Sequence, residues 1–349
     1  MAQTFTHGAV STSGSAVIKY VPATDIAVIV PNHLHAEATR AVLNAITVQT
    51  TLPAQVIVVQ ATRYENSESD WAEEQSHYEL SGLHLDIIHA AHPLKPGAAR
   101  NLGLQFVRHN WVAFLDIETI PRAEWLEIQC KHVRAREDEV CFGTTEYLAQ
   151  SFKESVIRDA IYGRRLLTTI PGALMKREVF NSVGQFIPGV RAAEDTEWMI
   201  RAKAMDVKLA PGFGAALVSY HGLINLGVRA LIKKWRRNYL SSRKLQHLKV
   251  QTAIVWLMVY IIGSSIAFNW NALVAGWQVE SPFYIDHVTK IVSLTPIALY
   301  MVFRGCYLPY KRGVPLSDIF PLRFLLLASV GAILDTVKVS TIFFPKKAE

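Results

Sequence analysis

Two short apolar runs separated by a helical pattern constrain the fold of this chain more than any other feature. The first run covers residues 25–30 and ends at Pro31, and the second covers residues 55–59. Between them, apolar residues recur at helical spacing over 38–48. A strand, a helix and a second strand in this order form a βαβ unit, whose strands pair in parallel. The sequence therefore predicts an α/β fold with a mainly parallel sheet.

Later segments extend this pattern. The predicted elements are, in chain order, a strand at 85–88, a helix that starts within 95–101, a strand at 111–115, a helix over 121–136, a strand at 140–143, mixed structure around 171–172 and a helix over 194–205. The acidic stretch 64–80 is expected to form a surface excursion.

Basic residues are concentrated in one segment. The formal net charge is +7, yet residues 221–250 hold eight Lys or Arg and no Asp or Glu, so the rest of the chain carries about −1. Nucleic-acid binding would spread basic residues over a domain face, so we expect no nucleic-acid partner. The segment lies just before the long uncharged stretch 250–279, and we interpret it as flanking a membrane.

Three apolar segments follow the basic one. Residues 252–271 and 286–303 are expected to be transmembrane helices, because about 20 apolar residues span a bilayer. The third segment, 324–344, contains Asp335 and Lys338, which could pair on one helical face; it is either an interfacial helix or a third span. The positive-inside rule and three cysteines without metal-ligand spacing predict an inner or plasma membrane protein with a cytosolic α/β domain.

The predicted organisation therefore has four parts. They are a disordered tail over 1–24, the α/β domain over 25–228, a basic membrane-flanking segment over 229–250 and a membrane region over 251–349.

Polar residues at predicted strand and helix ends are candidates for chemistry. Asp116 and Glu118 follow the fourth strand, at the edge where parallel sheets bind ligands. Two such carboxylates can share a hard divalent cation, which would neutralise a diphosphate. Lys95 and Arg100 flank Gly97 at a helix start, which favours anions; the alternative is two solvated cations.

Three further positions have two interpretations each. Glu194 and Asp195 open a helix and act either as a cap or as a general base. His221 follows a strand-like run, and a single histidine is more often structural than a ligand. Trp235 lies in the basic segment, where it could anchor the chain at a membrane or line an acceptor path.

Taken in order, these segments resemble the family 2 glycosyltransferases of the GT-A fold. The resemblance covers residues 24–240 and is carried by a strand ending at Pro31, Gly-Ala-Ala-Arg-Asn at 97–101, Phe-Leu-Asp-Ile-Glu at 114–118, an acceptor-side segment at 171–186 and the Glu194-Asp195 pair. It implies a Rossmann-like GT-A domain that transfers one sugar, with inversion, from a nucleotide-diphosphate sugar. The implied acceptor is lipid-linked or a membrane-proximal glycan.

The resemblance also implies roles for individual residues. It implies donor contacts from Pro31, Asn32, His33, Lys95, Arg100 and Asp116, ligation of Mn²⁺ or Mg²⁺ by Asp116, Glu118 and His221, catalysis by Asp195 as base with Glu194, and acceptor- or membrane-side contacts from Trp235, Arg236 and Arg237.

Three positions depart from the family pattern. Gln60 and its neighbours stand where acidic residues usually read the nucleobase, so the base of the donor stays open. Glu118 is one methylene longer than the usual Asp, and residues 231–235 keep only a cation and the Trp of the processive motif. Two alternatives are a transferase for a soluble polysaccharide and a non-catalytic, membrane-bound nucleotide-sugar-binding scaffold. The three retained carboxylates favour catalysis.

Overall fold

A computed structural model describes residues 25–33, 36–61, 75–79, 82–224, 226–242, 245, 261–263, 266, 269–286 and 290–343. The predicted tail at 1–24 lies outside the described residues, as do most of the acidic stretch and most of the first predicted transmembrane segment. The predictions for these segments stay predictions.

One mixed sheet forms the centre of the α/β domain. Its strands are β1 (Ile26–Asn32), β2 (Gln55–Gln60), β3 (Leu85–His89), β4 (Trp111–Phe114), β5 (Thr119–Pro121), β6 (Val140–Tyr147), β7 (Leu167–Lys176), β8 (Leu209–Ala210) and β9 (Leu217–Tyr220). Their order is β3-β2-β1-β4-β7-β6-β9-β5, with β8 beside β6. Parallel pairing joins β3, β2, β1 and β4, while β7 is antiparallel to β4 and β6. The predicted α/β fold with a mainly parallel sheet is confirmed.

Helices cover the sheet and continue beyond it. Those of the α/β domain are α1 (Ala36–Thr47), α2 (Pro96–Gln105), α3 (Trp125–Arg136), α4 (Phe152–Ile161), α5 (Val179–Ser182), α6 (Glu194–Ala204) and α7 (Val228–Ser242). The C-terminal ones are α8 (Trp270–Leu273), α9 (Lys290–Val302), α10 (Leu308–Lys311), α11 (Leu316–Ile319) and α12 (Arg323–Phe343), and a π-helical turn at Phe303–Tyr307 joins α9 to α10.

Strand β1 is buried along its whole length because helices cover both of its faces. Ile26 and Val28 pack in the cluster with α1 and α3, whereas Ala27 and Ile29 pack in the cluster with α2 and α6. Alternate residues of a strand face opposite sides, so each face receives every second side chain. Burial of one such aliphatic side chain contributes about 1.5–3 kcal/mol, which explains the uninterrupted apolar run.

The helix predicted from Pro121 begins later, at Trp125. Residues Thr119–Pro121 instead form β5, which is antiparallel to β9. The Arg122 N–H also donates to the Leu217 carbonyl at 3.1 Å. Pairing with a distant strand therefore overrides the local helical pattern at this point.

The mixed structure predicted around Pro171 and Gly172 is the interior of β7. Gly172 has a φ of +84°, and the register between β6 and β7 shifts at Cys141 to Gly143. The irregular backbone absorbs the Pro-Gly pair without ending the strand. Strand β6, predicted to end at Gly143, continues to Tyr147, because it stays paired with β7 beyond the register shift.

The C-terminal helix α12 packs directly on the α/β domain. Leu334 and Val337 of α12 share a buried cluster with Leu231 and Trp235 of α7 and with Ile157 of α4. Helix α7 carries the start of the predicted membrane-flanking segment. Its packing shows that this part of the basic segment belongs structurally to the α/β domain.

Charged residues inside α12 have partners within the fold. Asp335 lies 2.8 Å from Arg304 and 3.7 Å from Lys338, so the predicted pairing of Asp335 with Lys338 is confirmed. Among the helices that the structure describes, one stretch, Arg323–Thr341, is long and apolar enough to cross a membrane. The membrane location and its topology stay predictions.

Candidate active site

Asp116 and Glu118 lie in the turn after β4, at the carboxyl edge of the parallel strands. Thr119 holds this turn, since its hydroxyl donates to the Asp116 carbonyl at 2.5 Å and accepts from the Asp116 N–H at 2.9 Å. The Asp116 and Glu118 side chains are 36% and 29% exposed. The turn therefore presents two accessible carboxylates on a fixed backbone, at the edge where such sheets bind ligands.

Arg100 connects this turn to the start of α6. Its guanidinium donates to Asp116 Oδ1 and to Glu194 Oε1, each at 2.8 Å, and the residue is 2% exposed. Burial opposes the charge, but Asp116 and Glu194 raise the pKa of Arg100, so the guanidinium stays charged. Arg100 is buried and bonded to two carboxylates that it positions, and its predicted contact with the donor stays a prediction.

Glu194 and Asp195 have different surroundings. Glu194 is 5% exposed; burial raises its pKa, Arg100 opposes this, and the neighbouring Asp195 adds to the rise. Asp195 is partly exposed: its Oδ1 accepts from the Thr196 N–H at 2.7 Å, and among the described residues its Oδ2 has no hydrogen-bond partner. Ala193 just before them has a φ of +69°, which costs about 1–2 kcal/mol. Asp195 is the carboxylate available to a ligand.

Glu118 belongs to a second network, with residues of β9 and α7. The Tyr220 hydroxyl donates to Glu118 Oε2 at 2.7 Å, and Lys234 Nζ lies 2.9 Å from that hydroxyl and 3.4 Å from Oε2. A Cβ at Gly222 would lie 2.5 Å from Oε2 and 2.3 Å from the Tyr220 oxygen, so the network requires glycine there. The charge pattern assigned Lys234 to the membrane-flanking segment, whereas its ammonium reaches into the site.

His221 lies beside this network through its backbone. Its N–H donates to the Glu118 carbonyl at 2.8 Å. In the part of the chain that the structure describes, no three His, Cys, Asp or Glu side chains group as a metal site would need. The predicted three-residue ligand set of Asp116, Glu118 and His221 is therefore not assembled.

Asp116 and Glu118 each leave one carboxylate oxygen available to a ligand. Within the described residues, Asp116 Oδ2 and Glu118 Oε1 have no hydrogen-bond partner, since the bonds run to the other oxygen of each carboxylate. Hard oxygen donors of this kind suit Mn²⁺ or Mg²⁺, which complete their coordination with phosphate oxygens and water.

The end of β1 contributes through its backbone position. Pro31 and Asn32 are buried, and the Asn32 amide donates to Gln60 Oε1 at 2.8 Å, so these side chains join β1 to β2. His33 directly follows β1, at the carboxyl edge of the sheet. Burial and the Arg191 charge lower the pKa of His33, while the two carboxylates after β4 oppose this, which places the imidazole within the field of the site.

The start of α2 differs from the expectation in one respect. A Cβ at Gly97 would lie 2.5 Å from the Ile187 carbonyl oxygen and 3.3 Å from Glu194 Cγ. Gly97, expected at an anion-binding helix start, is needed here for close packing of α2 against the loop before α6. Lys95, the residue before α2, is half-buried, and no carboxylate pairs with it among the described residues.

Three tyrosines that the sequence reasoning missed line the same region. The Tyr147 and Tyr162 rings stack at 4.0 Å, and the Tyr220 ring lies 4.7 Å from Tyr147. Burial raises the pKa of Tyr147, and the charges of Tyr162 and of all three predicted carboxylates add to the rise. The tyrosines lie on β6, β9 and the loop after α4, so only the folded chain brings them together.

The predicted acceptor-side residues separate into two environments. Trp235 is 5% exposed and packs in a cluster with Leu231 and Tyr162, so its ring lies in the interior and not at a surface where a membrane anchor would sit. Arg236 is half-buried, and Arg237 is exposed. Burial and the nearby charge of Arg237 lower the pKa of Arg191, so these two cations lie near each other.

Comparison with known proteins finds one matching sequence family and several similar folds. Residues 27–194 match the sequence model of the family described as glycosyl transferase family 2. The mannosyltransferase PcManGT from Pyrobaculum calidifontis, in complex with GDP-Man and Mn²⁺, has a similar fold with a TM-score of 0.52 and 14% identity, over 93% of this chain and 88% of that one. No curated protein sequence matches this chain.

TarS from S. aureus is also similar, at 13% identity. Its structure gives a TM-score of 0.45 over 90% of this chain, and this chain spans 55% of that one. The 1–349 form in complex with UDP-GlcNAc gives 0.44, over 91% of this chain and 92% of that one.

Fold and site define a mixed α/β protein with accessible carboxylates at the carboxyl edge of its parallel strands. Within this domain, residues 27–194 are similar in sequence to the glycosyl transferases of family 2.

Proposed function

We propose that this protein is an inverting, metal-dependent glycosyltransferase that moves one sugar from a nucleotide-diphosphate sugar to a lipid-linked or membrane-proximal glycan. The arrangement around Arg100 supports this most, because one guanidinium holds Asp116 beside Glu194 and hence near Asp195. Displacement at a sugar needs a donor site and a proton acceptor held at a fixed separation. A rigid, buried clamp between the two meets that need.

The donor diphosphate is proposed to lie between the carboxylates after β4 and the cations of α7. A divalent cation held by Asp116 and Glu118 would neutralise the diphosphate charge. Lys234, oriented by Tyr220, is close enough to Glu118 to donate to the same phosphate oxygens. Since Gln60 is bonded to Asn32 and carries no charge, neither UDP nor GDP is favoured by an acid at that position.

Asp195 is proposed as the general base. Its Oδ2 would accept the proton of an acceptor hydroxyl, whose oxygen bonds to the anomeric carbon while the bond to the nucleotide diphosphate breaks on the opposite face. Glu194 is occupied by Arg100, which leaves Asp195 as the accessible member of the pair. General-base help of this kind is worth about 10²–10⁴-fold in rate.

We propose that the α/β domain lies at the cytosolic face of an inner or plasma membrane, where a lipid-linked acceptor would present its head group. The apolar stretch Arg323–Thr341 supports this location. The exposed cations Arg229, Lys233 and Arg237 on α7 support it too, because they would face an anionic leaflet.

Asp195→Asn tests the base, since asparagine has the same shape and can still accept the Thr196 N–H bond but is no proton acceptor at neutral pH. We expect transfer to fall about 10²–10⁴-fold while donor binding is unchanged. Asp206→Asn, an exposed carboxylate just beyond the same helix, should change neither. Near-normal turnover in Asp195→Asn would contradict the mechanism.

Glu118→Gln tests the metal. Thermal shifts with UDP- and GDP-sugars, each with and without Mn²⁺ or Mg²⁺, should show metal-dependent donor binding in the wild type only. Normal metal-dependent binding in the variant would refute the ligand assignment. If the wild type binds donor but transfers to no acceptor and releases no diphosphate, the scaffold alternative is correct.

A further inference from the structure

A second cavity lies between α10, α11 and the loop that follows α4. Its volume is about 430 Å³, and its wall includes Arg165, Tyr307, Tyr310, Lys311 and Pro315. None of the candidate active-site residues lines it. The wall is fixed by the backbone, because the N–H groups of residues 164 and 165 both donate to the Arg312 carbonyl, at 2.9 and 3.0 Å. A cavity of this size accommodates a small molecule or a head group.

The arginines beside the cavity are neutralised inside the protein. Arg158, Arg164 and Arg323 all bond to the fully buried carboxylate of Asp159, at 2.8–2.9 Å. Arg164 also pairs with Asp318 at 2.6 Å. These ion pairs hold α4 and α12 together. Because the charges are neutralised by one another, they exert little electrostatic attraction on a ligand in the cavity.

Arg165 and Lys311 differ from that cluster. Both side chains are exposed, and neither has a carboxylate partner among the described residues. Among the described residues, no Asp or Glu lines the cavity. A planar guanidinium and a mobile ammonium facing one space suit the oxygens of a phosphate. The cavity is therefore built for an anion.

Large apolar side chains surround the cavity on the outside. Tyr307 and Tyr310 are 51% and 56% exposed, and the next segment adds Leu316, Phe320 and Leu322 at 51%, 51% and 69%. The surfaces of soluble proteins rarely expose so many large apolar side chains together. Tyrosines beside cations are typical of the membrane–water interface. A free anion needs no such rim, whereas a phospholipid has both a phosphate and a glycerol–acyl portion.

We propose that this cavity binds the phosphate of an anionic phospholipid head group, with Arg165 and Lys311 as its ligands and the tyrosines at the level of the glycerol. The site is separate from sugar transfer: it rests on the proposed membrane location and not on the proposed catalytic mechanism. It would fix the height and orientation of the α/β domain on the bilayer.

Vesicle co-sedimentation of the full chain tests the proposal. The wild type should bind phosphatidylcholine vesicles more tightly when they contain phosphatidylglycerol. Arg165→Gln/Lys311→Gln should weaken binding to the phosphatidylglycerol vesicles about 30-fold, because each Lys or Arg near an anionic surface contributes about fivefold. The matched pair Lys203→Gln/Lys208→Gln removes the same charge elsewhere and should change binding by less than about threefold. Equal losses in the two double variants would overturn the proposal.

Two further measurements keep the outcome unambiguous. Titration of the wild type with inorganic phosphate should show no saturable heat; saturable heat that the double variant loses would identify a free-anion site and refute the lipid assignment. Lys311→Gln alone, at a side chain without an ion pair among the described residues, should leave the unfolding temperature unchanged and weaken vesicle binding about fivefold. Unchanged binding in that variant would also refute it.

Discussion

Replacing Arg100 with glutamine is expected to destabilise the fold and disorganise the site together. Arg100 and Glu194 are 2% and 5% exposed, and removing one partner of a buried ion pair costs about 3–5 kcal/mol. Asp116 is 36% exposed, so its lost contact should add no more than about 1 kcal/mol. A loss of about 3–6 kcal/mol is a large share of the 5–15 kcal/mol by which domains are stable.

The loss should depend on pH through Glu194. Burial raises the pKa of Glu194 above its ordinary value of 4.5, and Arg100 opposes that rise. Without Arg100 the folded-state pKa rises further, because the carboxyl remains buried beside Asp195. A carboxyl with a raised folded-state pKa keeps its stability below pH 4.5 and loses it as pH rises towards the folded value. The variant should therefore be closest to the wild type in acid.

Urea unfolding of both proteins across this pH range measures the effect. The double variant Arg100→Gln/Glu194→Gln is the control, since replacing both charged partners should recover much of the stability and remove the pH dependence. A cost of Arg100→Gln below about 1 kcal/mol, equal at all pH values, would refute the clamp, because even an exposed ion pair reaches that size.

Three other perturbations test separate parts of the structure. Gly222→Ala places a Cβ 2.5 Å from Glu118 Oε2. In the thermal-shift assay it should weaken metal-dependent donor binding at least about tenfold, which is the effect of losing one charge-assisted contact. The control Gly227→Ala, where an added Cβ would meet nothing within 4 Å, should bind donor normally. Trp235→Ala should lower the free energy of unfolding by about 3–5 kcal/mol, because the ring is 5% exposed in a packed cluster. Burial raises the pKa of Cys130 to about 12. A disulfide reagent at mildly alkaline pH should therefore modify Cys130 only after unfolding, because the thiolate is the reactive form. Rapid reaction with the native protein would contradict the burial of Cys130.

The sequence pattern predicts those parts of the fold that depend on local apolar order. Strands β1, β2 and β4 are recognisable because both of their faces are buried, so each reads as a short, mainly apolar run. The edge strand β3 is only partly buried and keeps a shorter apolar pattern. The position of Asp116 and Glu118 follows directly, since the fourth run ends just before them. Helix α6 is similarly evident from its acidic start.

Parts of the site that depend on long-range contacts could not be predicted. Arg100 has the sequence context of a phosphate ligand, and only the approach of α6 shows that it serves Glu194 and Asp116. Lys234 lies in a basic run where every cation looks alike, and its role appears when α7 packs beside β9. Residue type and spacing do not encode which of several neighbouring charges faces inward.

The neighbouring residues Lys234 and Trp235 make the two halves of the molecule hard to separate. Successive helical residues point about 100° apart, so α7 sends the ammonium to Glu118 and the indole to the cluster shared with α12. A truncation before α12, meant to yield a free-standing catalytic half, would uncover Trp235 and Leu231 and loosen the helix that aims the lysine. Such a shortened protein should retain a folded sheet yet bind donor poorly. Adding α12 back as a separate peptide should restore donor binding, and this would be more informative than any substitution at the carboxylates.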